Sequence, residues 1–335
     1  MEPTKGAAEK VDGGLKTNEV DVRVVSPPEG LADATTEAGK PPFFSRQILT
    51  LFGFSCVGFC CNTMYGFDAS LMASLLVFPS FQDEFGVDVA GAKSGYVTAL
   101  LQIGSVCAIP FIGVVLDKLG RRGGMFIGAL SAILGVILQG TAASSHSLPQ
   151  YLAGRFFLGW GAAMATSAAP TYVLEISHPS FRGLMTGMVN CSYDIGGILV
   201  SGVSRAAKNY SGSTQWVMPT WVQLIFSGTV LLCVFFIPES PRWHFSHGKR
   251  DKAIEFLTRY HGGGDLTNPV VQLEIAEFES GVESDRNASM RWWDFRSAVR
   301  SRSDAVRLVN CLTLAIYSAW STGGIGNYMA KVQCD

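Results

Sequence analysis

The sequence predicts an all-α protein that crosses a membrane several times. Charged residues make up 16% of its 335 residues and apolar residues 48%, whereas soluble domains carry about 25% charged residues. The charges are also unevenly placed, because residues 46–238 hold only 16 of them. Uncharged stretches of about 20 residues recur through this region, and each is long enough to cross a hydrocarbon core of about 30 Å as a helix.

The same composition excludes several other classes of protein. A net charge of −1 creates no strong field for a polyanion, so we expect no nucleic-acid partner. Most of the eight cysteines lie in apolar runs, where they behave as small apolar residues rather than as zinc ligands or disulfide partners. Nothing resembles a catalytic triad, a metal cluster or a phosphate-binding loop, so we expect neither enzymatic activity nor a cofactor.

The elements follow from the N-terminus. Residues 1–45 are polar and rich in Glu, Gly, Pro and Thr, which predicts a disordered cytoplasmic tail. Residues 46–238 then hold a bundle of six spans. Their apolar cores are Ile48–Phe67, Ser94–Leu116, Gly123–Ala143, a stretch that begins near Tyr151, Gly183–Ser204 and Val217–Ile237.

Two further segments complete the predicted organisation. Residues 239–307 hold 11 basic and 11 acidic residues in amphipathic stretches, which is typical of a small helical insert. Leu308–Ala330 is apolar again and predicts a seventh transmembrane helix.

Basic residues in short loops predict which side of the membrane each loop lies on. The loop between the second and third spans carries Lys118, Arg121 and Arg122, and the loop between the fourth and fifth carries Arg182. The loops after the first and third spans hold almost no Lys or Arg, although two basic residues after the fifth span oppose the trend. We therefore expect the N-terminus and the 239–307 insert to be cytoplasmic.

Ionisable residues inside spans are energetically costly, which makes them candidates for function. Asp68 ends the first predicted span and Arg155 begins the fourth, so the expected orientation places both toward the outer side at similar depth. A carboxylate held by an arginine inside a bundle can bind and release a proton. The sequence leaves open the alternative that both residues mark the membrane interface, where charges cost little.

A polar stripe also runs along the fifth span. Asp194 lies 11 residues into it, roughly 16 Å along the helix and near the midplane. Asn190 and Ser201 share its face, since each residue turns the helix by about 100°. Such a stripe faces a water-filled cavity or a neighbouring helix, so the sequence predicts a cavity lining, with a structural hydrogen bond as the alternative.

Four motifs occur in order along the chain. They are Gly113–Arg122 between the second and third spans, Gly154–Gly161 in the fourth, Pro170–Gly183 at its exit, and Pro238–Trp243 after the sixth. Together they resemble the sugar porter family of the major facilitator superfamily, most closely its fungal hexose and lactose permease-like members, over about residues 46–330. The resemblance implies two six-helix halves around a midplane site, working by alternating access.

The resemblance also implies roles for single residues. Gly66–Asp68 looks like the Gly-Tyr-Asp of the family's first helix, which implies that Asp68 is a proton site with Arg155 as its partner. The family's sugar-binding glutamine of the fifth helix corresponds to Asn190. The residues expected to bind substrate in the cavity are Asn190, Gln102, Gln223 and Asp194.

Charged residues near the helix ends imply a cytoplasmic latch. In the family such a network closes the cytoplasmic mouth in the outward-open state and breaks for inward opening. The alternative is that its arginines follow only the positive-inside bias and contact anionic lipid headgroups. The residues expected to form the latch are Asp117, Arg121, Arg122, Glu175, Arg182, Glu239 and Arg242.

The sequence departs from the family pattern in four places, one of which is Trp216–Val217, where the family has a Trp-Arg pair near the start of the sixth helix. Asn190 is shorter than the usual glutamine, Asp194 replaces an apolar or aromatic residue, and Ala319–Thr322 lacks the glutamine of the seventh helix. The chain also stops at Asp335, which we interpret as truncation after that helix.

We expect a multi-pass plasma-membrane sugar transporter, working by proton symport, whose partners are a sugar, protons and the bilayer. The alternative is a non-transporting remnant, or a sugar sensor or binding partner, that lacks the C-terminal half.

Overall fold

The computed structural model describes residue 39, residues 41–87 and 92–287, and six residues between 305 and 313. The chain divides into two units, residues 1–279 and 280–335, and the bundle and the site lie in the first. Most of the predicted 1–45 tail, the end of the 239–307 insert and most of the seventh span, Leu308–Ala330, fall outside the described residues. In that described part every regular element is helical.

Nine α-helices follow one another between residues 46 and 287. They are α1 (Arg46–Val77), α2 (Pro79–Phe85), α3 (Ala92–Ser145), α4 (Leu148–Ile176), α5 (Arg182–Ala207), α6 (Thr214–Cys233), α7 (Pro241–Ser246), α8 (Arg250–Tyr260) and α9 (Pro269–Asn287). By length and composition, α1, α3 from Lys93 onward and α6 could each cross a membrane. Helices α4 and α5, with 29 and 26 residues, are long enough to do so and pack in the same bundle.

Helix α1 is longer than the predicted first span. Ser45 caps its start by accepting a hydrogen bond from the amide of Ile48 at 3.3 Å, and the helix continues to Val77. Asp68 therefore lies inside α1 rather than at its end. Its side chain is fully buried. On another face of α1, α5 approaches so closely that a Cβ on Gly66 would lie 2.0 Å from the carbonyl oxygen of Tyr193.

Helix α3 contains the predicted second and third spans with no loop between them. Gly120, with a φ of 78°, breaks it into two helical segments, 92–119 and 121–145. Glycine adopts this left-handed backbone readily because it has no Cβ. The predicted boundary between the third and fourth spans, by contrast, coincides with the short gap between Ser145 and Leu148.

The second segment of α3 packs along α4 through small residues. Gly128, Gly135, Gly154 and Gly161 lie on this contact, where a Cβ on any of them would come within 2.8 Å of atoms of the opposite helix. Such close backbone approach is typical of membrane helices, whose association depends on van der Waals packing. It makes α4 a central helix of the bundle and carries Arg155 into the interior.

The chain after α6 forms a small group of helices against the ends of the bundle. The buried face of α8 consists of Ala253, Phe256 and Leu257, and the rings of Phe245 and Phe278 join α7 to α9 at 5.5 Å. These three helices lie within the predicted insert, residues 239–307.

Candidate functional site

A buried polar cluster lies between α1 and α4. The exposed fractions of Asp68 and Arg155 are 0% and 1%. Neither carboxylate oxygen of Asp68 has a hydrogen-bond partner, and the same is true of Nε and Nη1 of Arg155. The two side chains are close enough to interact electrostatically, yet no direct ion pair joins them. The structure thus brings together the two residues that the sequence proposed as a pair, without a bond between them.

Tyr151 is a third member of this cluster. It lies one helical turn before Arg155, is fully buried, and its hydroxyl has no hydrogen-bond partner. Three aromatic rings pack around it, with centroids 5.3 Å away for Phe81, 5.5 Å for Phe85 and 5.9 Å for Trp216. Helix α2 therefore covers the cluster at one end of the bundle with an apolar layer.

Glu84 fixes this cover in place. Its Oε2 accepts hydrogen bonds from Ser213 Oγ at 2.7 Å and from Trp216 Nε1 at 3.1 Å. The exposed His146 lies 2.7 Å from Oε1. Helix α2 is thereby tied to the start of α6 and to the connection between α3 and α4.

The four residues predicted to bind substrate are not all brought together. Asn190 and Asp194 are exposed on α5, and Gln102 is exposed on α3. Gln223 is buried inside α6, and neither its amide nitrogen nor its oxygen has a hydrogen-bond partner. Among the described residues, no group of three or more His, Cys, Asp or Glu side chains could hold a metal ion.

Four of the seven predicted latch residues, Arg121, Arg122, Glu175 and Glu239, lie together at the break in α3. Glu239 Oε1 accepts hydrogen bonds from the backbone amides of Arg121 at 3.0 Å, Arg122 at 3.4 Å and Ser240 at 3.0 Å. The carboxylate therefore lies at the start of the second segment of α3, where unpaired amides and the helix dipole favour negative charge. Burial raises the pKa of Glu239 even though these amides act in the opposite direction.

A second acidic residue joins α3, α4 and α7. Glu175 forms a salt bridge with Arg121 Nη2 at 2.8 Å, and its other oxygen accepts a hydrogen bond from Ser240 Oγ at 2.5 Å. Arg122 instead donates to the carbonyl oxygens of Val234 and Phe235. These two carbonyls follow the C-terminus of α6, so the paired arginines have separate partners.

Three predicted latch residues, Asp117, Arg182 and Arg242, have side chains outside this network. Asp117 and Arg242 are exposed, and neither side chain forms an ion pair with another described residue. The backbone oxygen of Asp117 nevertheless accepts a hydrogen bond from Trp243 Nε1 at 2.9 Å. The motif that contains Asp117 is thus joined to the motif after α6 through its main chain.

Arg182 has a partner that the sequence did not indicate. Its Nη2 lies 3.0 Å from Glu274 Oε1 on α9, and Glu274 Oε2 lies 2.5 Å from His261 Nδ1. The sequence shows Glu274 only as one of several acidic residues in an amphipathic stretch. His178, in the turn after α4, packs its ring 5.4 Å from that of His261. Burial and the neighbouring His261 lower the pKa of His178 to about 4.

Known proteins with a similar sequence include fungal permeases. A probable quinate permease of Aspergillus terreus is 31% identical over 203 residues, which are 58% of this chain and 37% of that protein. A quinate permease of Neurospora terricola is 30% identical over 206 residues, 58% of this chain and 38% of that protein. The chain therefore spans less than half the length of these relatives.

Solved structures with the same fold include the xylose transporter XylE. A double-tryptophan variant of XylE superposes with a TM-score of 0.64 at 17% identity, covering 72% of this chain and 55% of XylE. The inward-open form of XylE from E. coli gives a TM-score of 0.61 at 17% identity, covering 70% of this chain and 56% of XylE. These matches confirm the predicted all-α membrane fold.

A comparison of the sequence with family profiles identifies the family of this chain. The profile of the family described as "Sugar (and other) transporter" matches residues 54–331, which is most of the chain. Its members are multi-pass membrane transporters, as the resemblance of the motifs predicted. The chain belongs to this family, the sugar porters of the major facilitator superfamily.

Proposed function

We propose that this chain acts in the transport of a small polyhydroxylated solute, preferably a sugar. Transport would occur by alternating access with proton symport. The observation that carries the proton coupling is the buried pair of Asp68 and Arg155, two ionisable residues on facing helices with no direct bond between them. Charged groups at such positions in a membrane protein are costly unless they serve a function.

The chemistry of the two side chains supports a switch. A guanidinium keeps its charge at any physiological pH, so only the carboxyl of Asp68 can gain or lose a proton. When ionised, Asp68 attracts Arg155 across the space between α1 and α4; when protonated, it releases Arg155. A proton arriving with the solute would in this way change how tightly the two helices are held.

The latch residues support a gate at the other end of α4. Glu175 and Glu239 hold the start of the second α3 segment through Arg121, and Ser240 connects them to α7. We propose that this end of the bundle is cytoplasmic, because the basic residues of the sequence cluster there. The N-terminus is then cytoplasmic as well, in a protein of the plasma membrane.

The negative charge of Asp194 narrows the class of solute that we propose. Asn190 and Asp194 line the exposed polar face of α5, where the amide can hydrogen-bond hydroxyl groups. The relatives named quinate permeases suggest a carboxylic acid as one alternative. The carboxylate of Asp194 disfavours such an anion by like-charge repulsion, so we propose a neutral sugar as the preferred solute.

Uptake by the 335-residue chain in a transporter-deficient cell tests this proposal. We expect uptake of labelled hexose or pentose above that of quinate, and sugar-driven proton entry into vesicles. The Asp68→Asn variant should abolish proton entry, whereas Asp83→Asn, which alters an exposed acid on α2, should leave it unchanged. Full proton-coupled uptake by Asp68→Asn, or uptake of quinate alone, would contradict the proposal.

A further inference from the structure

His261 lies where α8 ends, between two hydrogen-bond acceptors. Its side chain is 0% exposed. Nδ1 lies 2.5 Å from Glu274 Oε2, and Nε2 lies 3.1 Å from the backbone oxygen of Ile176. A backbone carbonyl cannot donate a hydrogen bond, and an ionised carboxylate cannot either.

A neutral imidazole carries one N–H, whereas the imidazolium carries two. The salt bridge with Arg182 favours the ionised form of Glu274, and beside an ionised Glu274 only the charged form of His261 can donate to both Glu274 and Ile176. We propose that His261 is a protonation site separate from Asp68, and that its imidazolium holds α8 and α9 against the ends of α4 and α5.

The charges around His261 favour this assignment. Glu274 is shared with Arg182, the first residue of α5, so one carboxylate lies between two cations. Ile176 is the last residue of α4, and the C-terminus of a helix stabilises a positive charge. The titratable and charged groups that face His261 from these elements are Glu274, Arg182 and His178.

His178, which contacts His261, does not bind the proton in its place. Burial, followed by the positive charge of His261, lowers the pKa of His178 to about 4, so it stays neutral where His261 is charged. Its Nδ1 accepts a hydrogen bond from the amide of Ser180 at 3.2 Å, which only an unprotonated nitrogen can do. The two histidines in contact therefore have opposite roles.

A cavity lies beside His261. It is also lined by Ser45, Gln47, His178 and Asn268, and Ser45 and Gln47 add no charge to it. The carbonyl that His261 contacts belongs to Ile176, the residue after Glu175, which pairs with Arg121 in the latch. Loss of the proton would therefore loosen the insert at the helix end that supports the proposed gate.

Amide hydrogen exchange of the full chain in lipid nanodiscs tests the proposal. We expect the exchange of α8 amides, corrected for the intrinsic effect of pH, to be about tenfold to hundredfold faster at pH ~8 than at pH ~5.5, the effect of one charge-assisted hydrogen bond. The wild-type measurement needs no substitution, so a variant that fails to fold does not prevent the test.

Two variants separate protonation from packing. His261→Arg keeps a permanent positive charge, and we expect its α8 protection to be independent of pH. His247→Gln removes an exposed histidine of the same insert and should keep the wild-type pH dependence. Protection in the wild type that does not change with pH, or a pH dependence that His247→Gln removes, would overturn the proposal. No solute is used, so this result is independent of whether the chain transports a sugar.

Discussion

The carboxylate of Glu239 occupies the space that a side chain on Gly120 would need. A Cβ on Gly120 would lie 2.3 Å from Glu239 Oε2. The same carboxylate accepts the amides of Arg121 and Arg122, so it caps the second segment of α3 from a distant part of the chain. Two motifs that are more than a hundred residues apart in sequence thus form one structural unit.

Replacement of Gly120 by alanine should destabilise this turn. The new Cβ would displace the Glu239 carboxylate, and the backbone φ of 78° is strained for any residue with a Cβ. We expect a loss of about 1–3 kcal/mol of unfolding free energy, measured by thermal or denaturant unfolding in detergent. Gly113→Ala is the matched control, because nothing lies within 4 Å of its Cβ position. Equal stabilities of the two variants would contradict this account.

The cap itself can be removed without changing the glycine. Glu239→Ala should cost about 1–2 kcal/mol, the usual effect of losing a helix N-cap, because the amides of Arg121 and Arg122 lose their acceptor. Glu239→Gln keeps a carbonyl oxygen and should cost less. Unfolding experiments would measure both, with Asp117→Asn as the control for an exposed acid of the same turn. A Glu239→Ala variant as stable as that control would show that the carboxylate does not cap the helix.

The motifs place Gly120, Arg121 and Glu239 at predicted helix ends, and their resemblance to the family implies a charged network there. The sequence did not indicate that the Glu239 carboxylate accepts backbone amides at the break in α3. The partner of Arg182 could not be predicted either. Glu274 lies in the insert, where amphipathic patterning indicates a helix but not which bundle residue it faces. Likewise, apolar run length ended the first span at Phe67, whereas the helix continues to Val77. A count of apolar residues cannot foresee this, because Asp68 is buried beside Arg155 of a distant helix.

The pKa of His178 predicts an effect of pH on stability. The pKa of His178 in the folded chain, about 4, lies below its ordinary value of 6.5. Between these two pH values the unfolded chain binds a proton at this residue and the folded chain does not. Stability from this group is therefore present above pH 6.5 and is lost as the pH falls toward 4. We expect His178→Gln to lose less stability than the wild type between pH ~7 and ~4.5, measured by unfolding at each pH. His247→Gln serves as the control, and parallel pH profiles for His178→Gln and the wild type would refute the assignment.

Neutralising Asp68 should destabilise the bundle more than neutralising Arg155. Asp68→Asn leaves a buried guanidinium that cannot lose its charge, at a cost of about 3–5 kcal/mol. Arg155→Gln leaves a carboxyl that can bind a proton and become neutral, at a cost of about 1–3 kcal/mol.

The double variant distinguishes this charge effect from lost packing. Combining Asp68→Asn with Arg155→Gln removes both charges, so it should be more stable than Asp68→Asn alone, with a coupling of about 1 kcal/mol or more. Unfolding of the purified chain in one detergent would measure all three variants, with Asp83→Asn as the exposed-acid control. Packing alone does not depend on which partner keeps its charge. Additive losses of unfolding free energy, or a larger loss for Arg155→Gln than for Asp68→Asn, would therefore mean that the two side chains do not act as a charge pair.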